Sequence, residues 1–365
     1  MNEADDHRYM GTALALGRRG QGLVWPNPAV GCVIVNQGRI IGRGWTQPGG
    51  RPHAEPVALA QAGDAAKGAT AYVTLEPCAH HGQTPPCTKA LIDAQVARVV
   101  VALQDDDPRV NGQGIAQLRA AGVKVSTGCR AKEAAVDHAG FFLRINQNRP
   151  LITLKLATSF DGRIATATGE SQWITGPKAR RLVHAQRARH DAVMVGAGTA
   201  RADDPSLTVR DLGVAKQPAR IVVSRRLDLP LQSKLAASAK DVPLWLCHGK
   251  DATSELKDAW QSLGATLIEC PLIGRQIDPE SLLQNLAERG LTRVFCEGGG
   301  TLAASLLHAD VVDRLSTFTA GVALGAEGQP GLGAMGIDSL AEAPRFTLQS
   351  TQKIGPDALH LWHRA

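Results

Sequence analysis

The chain has 365 residues, of which 44% are apolar and 20% charged, as expected for a soluble globular protein of roughly two to three domains at about 150 residues each. Its formal charge of +6 comes without a dense Lys/Arg run interleaved with aromatics, which are only 4% of the chain; this argues against a nucleic-acid partner and for small phosphorylated ligands. There is no run of eighteen or more apolar residues, and Met1-Asn2-Glu3-Ala4-Asp5-Asp6 is acidic where a secretion signal would be basic and then apolar, so no membrane partner and a cytoplasmic location are expected.

In chain order, Ala29–Asn36 and Arg39–Trp45 read as strands around an Asn36-Gln37-Gly38 hairpin turn. Glu55–Ala62 reads as a helix stopped by Gly63, with Pro56 tolerated in its first turn. Ala69–Leu75 follows as a strand, Thr88–Ala94 as a helix, Arg98–Leu103 as a strand, Gly114–Ala121 as a helix and Val123–Thr127 as a strand. This alternation predicts an α/β domain with about five strands in its sheet. Arg144-Ile145-Asn146-Gln147-Asn148-Arg149-Pro150 is polar and ends in proline, which places a boundary there and gives domains over 1–146 and 150–365. The second series has strands at Leu151–Ala157, Asp191–Gly196, Arg220–Ser224, Leu244–His248, Thr266–Glu269 and Arg293–Glu297. Helices are predicted at Pro177–Arg189, Ser254–Leu263, Pro279–Arg289 and Thr301–His308. Seven cysteines scattered from Cys32 to Cys296 are not a disulfide framework; Cys32, Cys129, Cys247, Cys270 and Cys296 are expected to fill cores.

The other two cysteines belong to a denser pattern. His53-Ala54-Glu55 is followed by Pro77-Cys78-Ala79-His80-His81-Gly82-Gln83-Thr84-Pro85-Pro86-Cys87. Zinc in a hydrolytic site takes three protein ligands and keeps one position for a water, whose pKa it lowers towards about 7. His53, Cys78 and Cys87 can supply those ligands for one zinc per chain. Glu55 stays outside the metal shell, placed to take a proton from the water and return it to a leaving amine, which is the division of labour in zinc nucleobase deaminases. The spacing departs from that pattern, with eight residues between the cysteines where two are usual. A purely structural zinc would want a fourth protein ligand, for which His80 and His81 are the candidates. Further on, Glu297-Gly298-Gly299-Gly300-Thr301 joins a strand to a helix, where glycine lets backbone approach a pyrophosphate and the helix start offers unpaired N–H groups.

The run Leu75–Cys87 resembles the signature of the deaminase half of bifunctional riboflavin-biosynthesis deaminase-reductases, and Pro26-Asn27-Pro28-Ala29-Val30-Gly31 resembles that family's opening strand. Blocks Ser159–Ala165, Thr168–Thr175, Ala202–Arg210 and Glu297–Thr301 resemble its reductase half, in the family's order. The resemblance implies a cytidine-deaminase-like α/β/α domain followed by a dihydrofolate-reductase-like α/β domain. It implies zinc-dependent hydrolysis of the 2-amino group of 2,5-diamino-6-ribosylamino-4(3H)-pyrimidinone 5′-phosphate, then NADPH-dependent reduction of ribosyl to ribityl. By the same resemblance Asn27 binds the pyrimidine, with a turn cap as its plainer reading. In the reductase, Ser171, Arg187, Leu207, Arg210 and Glu297 match substrate positions. Ala157, Trp173, Thr199, Asp203, Gly299, Gly300, Thr301, Leu302, Ala303, Ala304 and Ser305 match cofactor positions, although Trp173 could instead be core. Lys155 and Asp161 are candidates for moving a proton or orienting a group, and homo-oligomerisation is left open.

Two departures from the family matter. Glu55-Pro56-Val57 stands where Glu-Val-His is common, and Ser224-Arg225-Arg226 stands where Asp-Ser usually follows the strand. Arg225 or Arg226 is therefore a candidate for the 2′-phosphate of NADPH, against the alternative of two surface arginines. The rival functional readings are a nucleic-acid base deaminase with an accessory binding domain and a zinc-stabilised interaction module without catalysis. Intact Glu55 argues against the second.

Overall fold

The computed structural model describes residues 3–82, 84–214 and 216–365. Contacts divide the chain into two compact units, one ending at Asn148 and the other running Arg149–Ala365.

The first unit is built on a five-stranded sheet in the order Arg39–Trp45, Gly31–Asn36, Thr70–Val73, Arg98–Val101, Lys124–Thr127. Its first three strands pair antiparallel and its last three parallel. The strand Gly31–Asn36, flanked on both sides by other strands, reads as continuously apolar because both its faces are covered. Cys32 and Ile34 pack towards Ala54, Ala58 and Leu91, while Val33 and Val35 pack towards Tyr9, Met10 and Leu14.

The helix Ala54–Ala62 sits unusually close to the sheet. A Cβ at Gly44 would lie 2.1 Å from the Ala54 carbonyl oxygen, and one at Gly42 would lie 2.2 Å from that of Ala58. Glycine in the strand and alanine on the helix therefore set the height at which His53 and Glu55 are carried over the sheet edge.

Two helices of this unit were not foreseen. Glu3–Gly17 buries Tyr9, Met10, Ala13, Leu14 and Gly17 at helical spacing, and Asp6 pairs with Arg98 at 2.7 Å. Ala131–Gln147 runs through the segment expected to interrupt the periodicity. Ala134, His138, Phe141 and Ile145 recur on one face and pack inward, so the polar Asn146 and Gln147 form the solvent side of a last turn. The helix ends one residue later, at Asn148 with φ 48°, a left-handed cap that asparagine tolerates.

The second unit holds a nine-stranded sheet. Its order is Thr266–Glu269, Leu244–His248, Ala219–Val223, Ala192–Gly196, Arg293–Cys296, Leu151–Ser159, Arg314–Ala320, Asp357–Arg364, Phe346–Ile354. The strands through Arg314–Ala320 are parallel, and the last two pair antiparallel. The C-terminal hairpin, turned at Gly355-Pro356 with φ 69° at the glycine, and its neighbour Arg314–Ala320 were absent from the expected strand set. No helix among the described residues is long and apolar enough to cross a membrane.

Candidate active sites

In the first unit His53 stands in the N-cap position of Ala54–Ala62, and Cys87 is the first residue of the helix Cys87–Asp93. Both ligand-bearing segments thus start helices, whose positive ends favour thiolate. Among the described residues, the ligating atoms of His53, Cys78 and Cys87 lie within 4.8 Å of one another, and neither His80 nor His81 joins the group. His53 Nδ1 is 3.3 Å from Cys87 Sγ and 3.7 Å from Cys78 Sγ. Two such atoms bound to one tetrahedral zinc, at about 2.05 and 2.3 Å, would be about 3.6 Å apart. The donor set and its spacing fit zinc with three protein ligands.

Glu55 is buried, and burial pushes its carboxyl up to about 7, with the Cys78 sulfur adding to the rise and His53 opposing it. Hydrogen bonds from the Cys87 side chain and from His53 draw Cys78 below the ordinary thiol range despite its burial. A divalent cation on these ligands would reinforce both anions. Asn27 packs on the segment leading into His53: a Cβ at Gly50, where φ is +87°, would meet Asn27 Nδ2 at 1.8 Å.

One residue of this site escaped the sequence reading. Glu76 is 4% exposed and accepts backbone N–H groups from Asp105 at 3.2 Å, Gly112 at 2.9 Å and Ile115 at 3.1 Å. It clamps the Pro77-Cys78 turn to the start of the helix Gln113–Ala120. Gly114 completes the seat, since a Cβ there would come within 2.0 Å of the Pro77 carbonyl oxygen. Its place beside Pro77-Cys78 was the available signal. Gln83, within the cysteine loop, lies outside the described residues.

In the second unit the candidate residues gather at the carboxyl ends of adjacent parallel strands, where open α/β sheets bind ligands. Ala157 is on Leu151–Ser159, Thr199 and Asp203 are on the helix Ala197–Asp203 after Ala192–Gly196, and Glu297 follows Arg293–Cys296. Thr199 Oγ1 accepts from Gly299 N at 3.0 Å, and Gly298 O accepts from Gly196 N at 2.9 Å. The helix Gly300–His308 has no side-chain cap at Gly299. Ala303 N donates to Gly299 O, and the side chains of Ala303 and Ala304 are buried. The N–H groups of Gly300, Thr301 and Leu302 precede that first intrahelical bond and suit an anion; Ser305 lies a turn further on.

Arg187 and Glu297 form a bidentate pair, and Arg187 Nη1 also donates to Thr208 O at 2.7 Å. Burial raises the Glu297 carboxyl, but the Arg187 guanidinium and Lys155 together hold it below its usual range. Lys155 is pushed down by desolvation, which the charge of Glu297 opposes. Leu207 has φ +55° and a buried side chain, so it can offer a substrate only backbone atoms. Arg210 is exposed, and among the described residues no carboxylate pairs with it. Ser171 Oγ reaches Asp203 Oδ1 only at 3.5 Å.

Trp173 is 66% exposed beneath the Arg180 guanidinium at 4.5 Å, so it is not core. Asp161 accepts from Ser159 Oγ, Leu324 N and Gly325 N, a turn-holding role that leaves little of it for orienting substrate. Arg225 lies 3.5 Å from Asp251 and donates to Arg275 O at 3.4 Å, while Arg226 is exposed.

Comparison with known proteins agrees with this two-part layout. Residues 3–103 match the model of the cytidine and deoxycytidylate deaminase zinc-binding region, and residues 150–360 match the RibD C-terminal domain. The riboflavin biosynthesis protein RibD of Escherichia coli K12 is 41% identical over 98% of this chain and 99% of its own length. The chain belongs to the RibD family. The Aquifex aeolicus member is 39% identical over 98% of both chains. The solved Acinetobacter baumannii RibD superposes with a TM-score of 0.88 at 38% identity, covering all of both chains. A Thermotoga maritima diaminohydroxyphosphoribosylaminopyrimidine deaminase/5-amino-6-(5-phosphoribosylamino)uracil reductase has a TM-score of 0.87 at 31% identity, over 100% of this chain and 99% of that one. Like the family, the chain is a bifunctional deaminase and reductase of riboflavin biosynthesis that uses zinc and NADPH. A RibD-type second half supports this reading over that of a nucleic-acid base deaminase with an accessory binding domain.

Proposed function

We propose that the first unit hydrolyses the 2-amino group of 2,5-diamino-6-ribosylamino-4(3H)-pyrimidinone 5′-phosphate with release of ammonia. The second then reduces the ribosyl group to give 5-amino-6-(5-phosphoribitylamino)uracil. Both steps act on a small phosphorylated pyrimidine in the cytoplasm, with no nucleic-acid partner. The observation that carries this reading is a cluster of three ligands with a buried carboxyl left over, in one chain with a RibD-type second domain.

Zinc held by His53, Cys78 and Cys87 supplies the Lewis acidity that brings a water's pKa towards about 7. Glu55, whose carboxyl burial lifts to about 7, takes the proton of the attacking water and returns it to the departing amine. Asn27 reads the pyrimidine edge by donating and accepting with one amide.

In the second unit NADPH supplies a hydride to C1 of the sugar. The N–H groups at Gly300, Thr301 and Leu302 would receive its pyrophosphate, and Gly299, Thr199, Asp203, Ala157 and Trp173 would hold the rest of it. The arginine pair at 225–226 would supply the positive charge for its 2′-phosphate. Glu297 orients sugar hydroxyls, itself fixed by Arg187; Ser171 and the Leu207 backbone hold the substrate, and Arg210 takes its phosphate. Lys155, whose desolvation favours giving up a proton, suits the proton that accompanies the hydride better than Asp161 does.

The test is the purified chain carrying one equivalent of zinc, given the phosphorylated pyrimidine. Ammonia should appear without NADPH, and NADPH oxidation should follow only after it. A zinc-loaded chain that releases no ammonia from this substrate would overturn the reading.

A further inference from the structure

Neither the motif nor the zinc cluster accounts for the phosphate carried by the deaminase substrate. Two thiolates match the double charge of zinc, so Glu55 leaves the site with an excess of negative charge, and an incoming phosphate dianion needs a cation near the mouth. Most cations of the first unit with visible partners are already matched. Arg18, Lys89, Arg98, Arg109 and Arg130 each pair with a carboxylate.

Arg51 is different. It is half-buried and precedes His53 by two residues, and its Nη1 lies 3.5 Å from His53 Nε2 and donates to the neutral Thr84 hydroxyl at 2.7 Å. Its other terminal nitrogen, Nη2, runs beside Gly82, where even an added Cβ would be 3.5 Å away. Gly82 and His81 are exposed. One edge of the guanidinium is thus fixed against the ligand loop, and the other lies beside the exposed Gly82. Among the described residues no carboxylate pairs with Arg51.

We infer that Arg51 receives the 5′-phosphate of the pyrimidine in the deaminase site, with Thr84 holding the guanidinium in place. The inference rests on the deaminase reading above. A phosphate with its ribose spacer would extend from the pyrimidine towards the loop mouth, and a guanidinium held on one edge suits bidentate contact with two phosphate oxygens. Thr84 is a positioning residue in this scheme, and Arg51 is a substrate contact that sets preference for the phosphorylated form.

The experiment compares ammonia release from the phosphorylated pyrimidine and from its dephosphorylated counterpart, using zinc-loaded full-length wild type, Arg51→Gln and Arg51→Lys. Arg51→Gln should raise KM for the phosphorylated substrate roughly tenfold to hundredfold, the range for one charge-assisted contact, and change the dephosphorylated one less than twofold. Arg51→Lys should recover part of the loss, and inorganic phosphate should inhibit wild type more strongly than Arg51→Gln. Zinc content and the rate of the reductase on its own substrate should be unchanged, which controls for folding. An equal loss on both substrates, or loss of zinc, would assign Arg51 to the ligand loop and overturn the phosphate role alone. A wild type that releases no ammonia from either substrate would overturn the deaminase reading, and the Arg51 assignment with it.

Discussion

Replacing Glu76 with Gln tests whether the zinc site depends on a clamp that touches no metal. The carboxylate receives three backbone N–H groups, two on Oε2 and one on Oε1. An amide has a single oxygen. Placed at the Oε2 position it keeps the Asp105 and Gly112 contacts without charge assistance, and its NH2 then faces the N–H of Ile115, donor against donor. One buried donor left unsatisfied costs about 1–3 kcal/mol, and the weakened charged contacts add about 1 kcal/mol more, for a total of about 3 kcal/mol. In a unit of this size that corresponds to a fall in melting temperature of roughly 6–12 °C. Because the clamp holds the Pro77-Cys78 turn, zinc should also leave faster, by roughly tenfold to hundredfold, as for other groups that orient metal ligands. Zinc release is measured with a chromogenic chelator, and unfolding of the first unit is followed separately from reductase activity, since a chain of two units need not melt in one step. If Glu76→Gln melts within 1–2 °C of wild type and releases zinc at the wild-type rate, the three hydrogen bonds are not what holds the turn.

Glu55→Gln should keep zinc, lose roughly 10²–10⁴-fold in deamination and leave reduction of the supplied deaminated intermediate intact; near-normal ammonia release would refute the role. In zinc-stripped protein, Glu55 has its folded pKa raised from 4.5 to about 7. Its contribution to stability is therefore full below pH 4.5 and lost as pH rises through 7, and Glu55→Gln should be the more stable form at pH 8 but not at pH 4, as read by denaturant midpoints. Arg226→Ala should raise KM for NADPH while sparing NADH, and Arg225→Ala should do so less because Asp251 already engages that guanidinium; equal cofactor ratios in both variants and wild type would return the pair to surface charge. Arg210→Ala should weaken the phosphorylated reductase substrate roughly tenfold to hundredfold, with little further loss on a dephosphorylated one and no change in ammonia release.

What could be read from the sequence was what is local in it. His53 and Glu55 are two residues apart, and the cysteine turns are fixed by adjacent prolines, so each half of the candidate site was legible where it stands, and the fold brings the His53, Cys78 and Cys87 atoms together. The helix Glu3–Gly17 was equally legible, since Tyr9, Met10, Ala13, Leu14 and Gly17 repeat at helical intervals behind an acidic first turn. In the C-terminal hairpin the outer strand Phe346–Ile354 is largely exposed and polar. An edge strand of that kind gains its place from pairing with Asp357–Arg364 rather than from its own pattern.

The groups that position the chemistry were hidden for a different reason. Glu76 finds its partners 29, 36 and 39 residues away, and Arg187 meets Glu297 across 110 residues, distances over which composition carries no register. That last pairing also changes how charge is distributed in the reductase. Read singly, Arg187 and Arg210 both suited a phosphate; in the fold Arg187 is largely neutralised by the carboxylate it orients, and the unmatched positive charge falls to Arg210. Under the proposed function, two arginines of the same apparent use are thereby separated into one that shapes the carboxylate proposed to bind the sugar and one proposed to attract the phosphate.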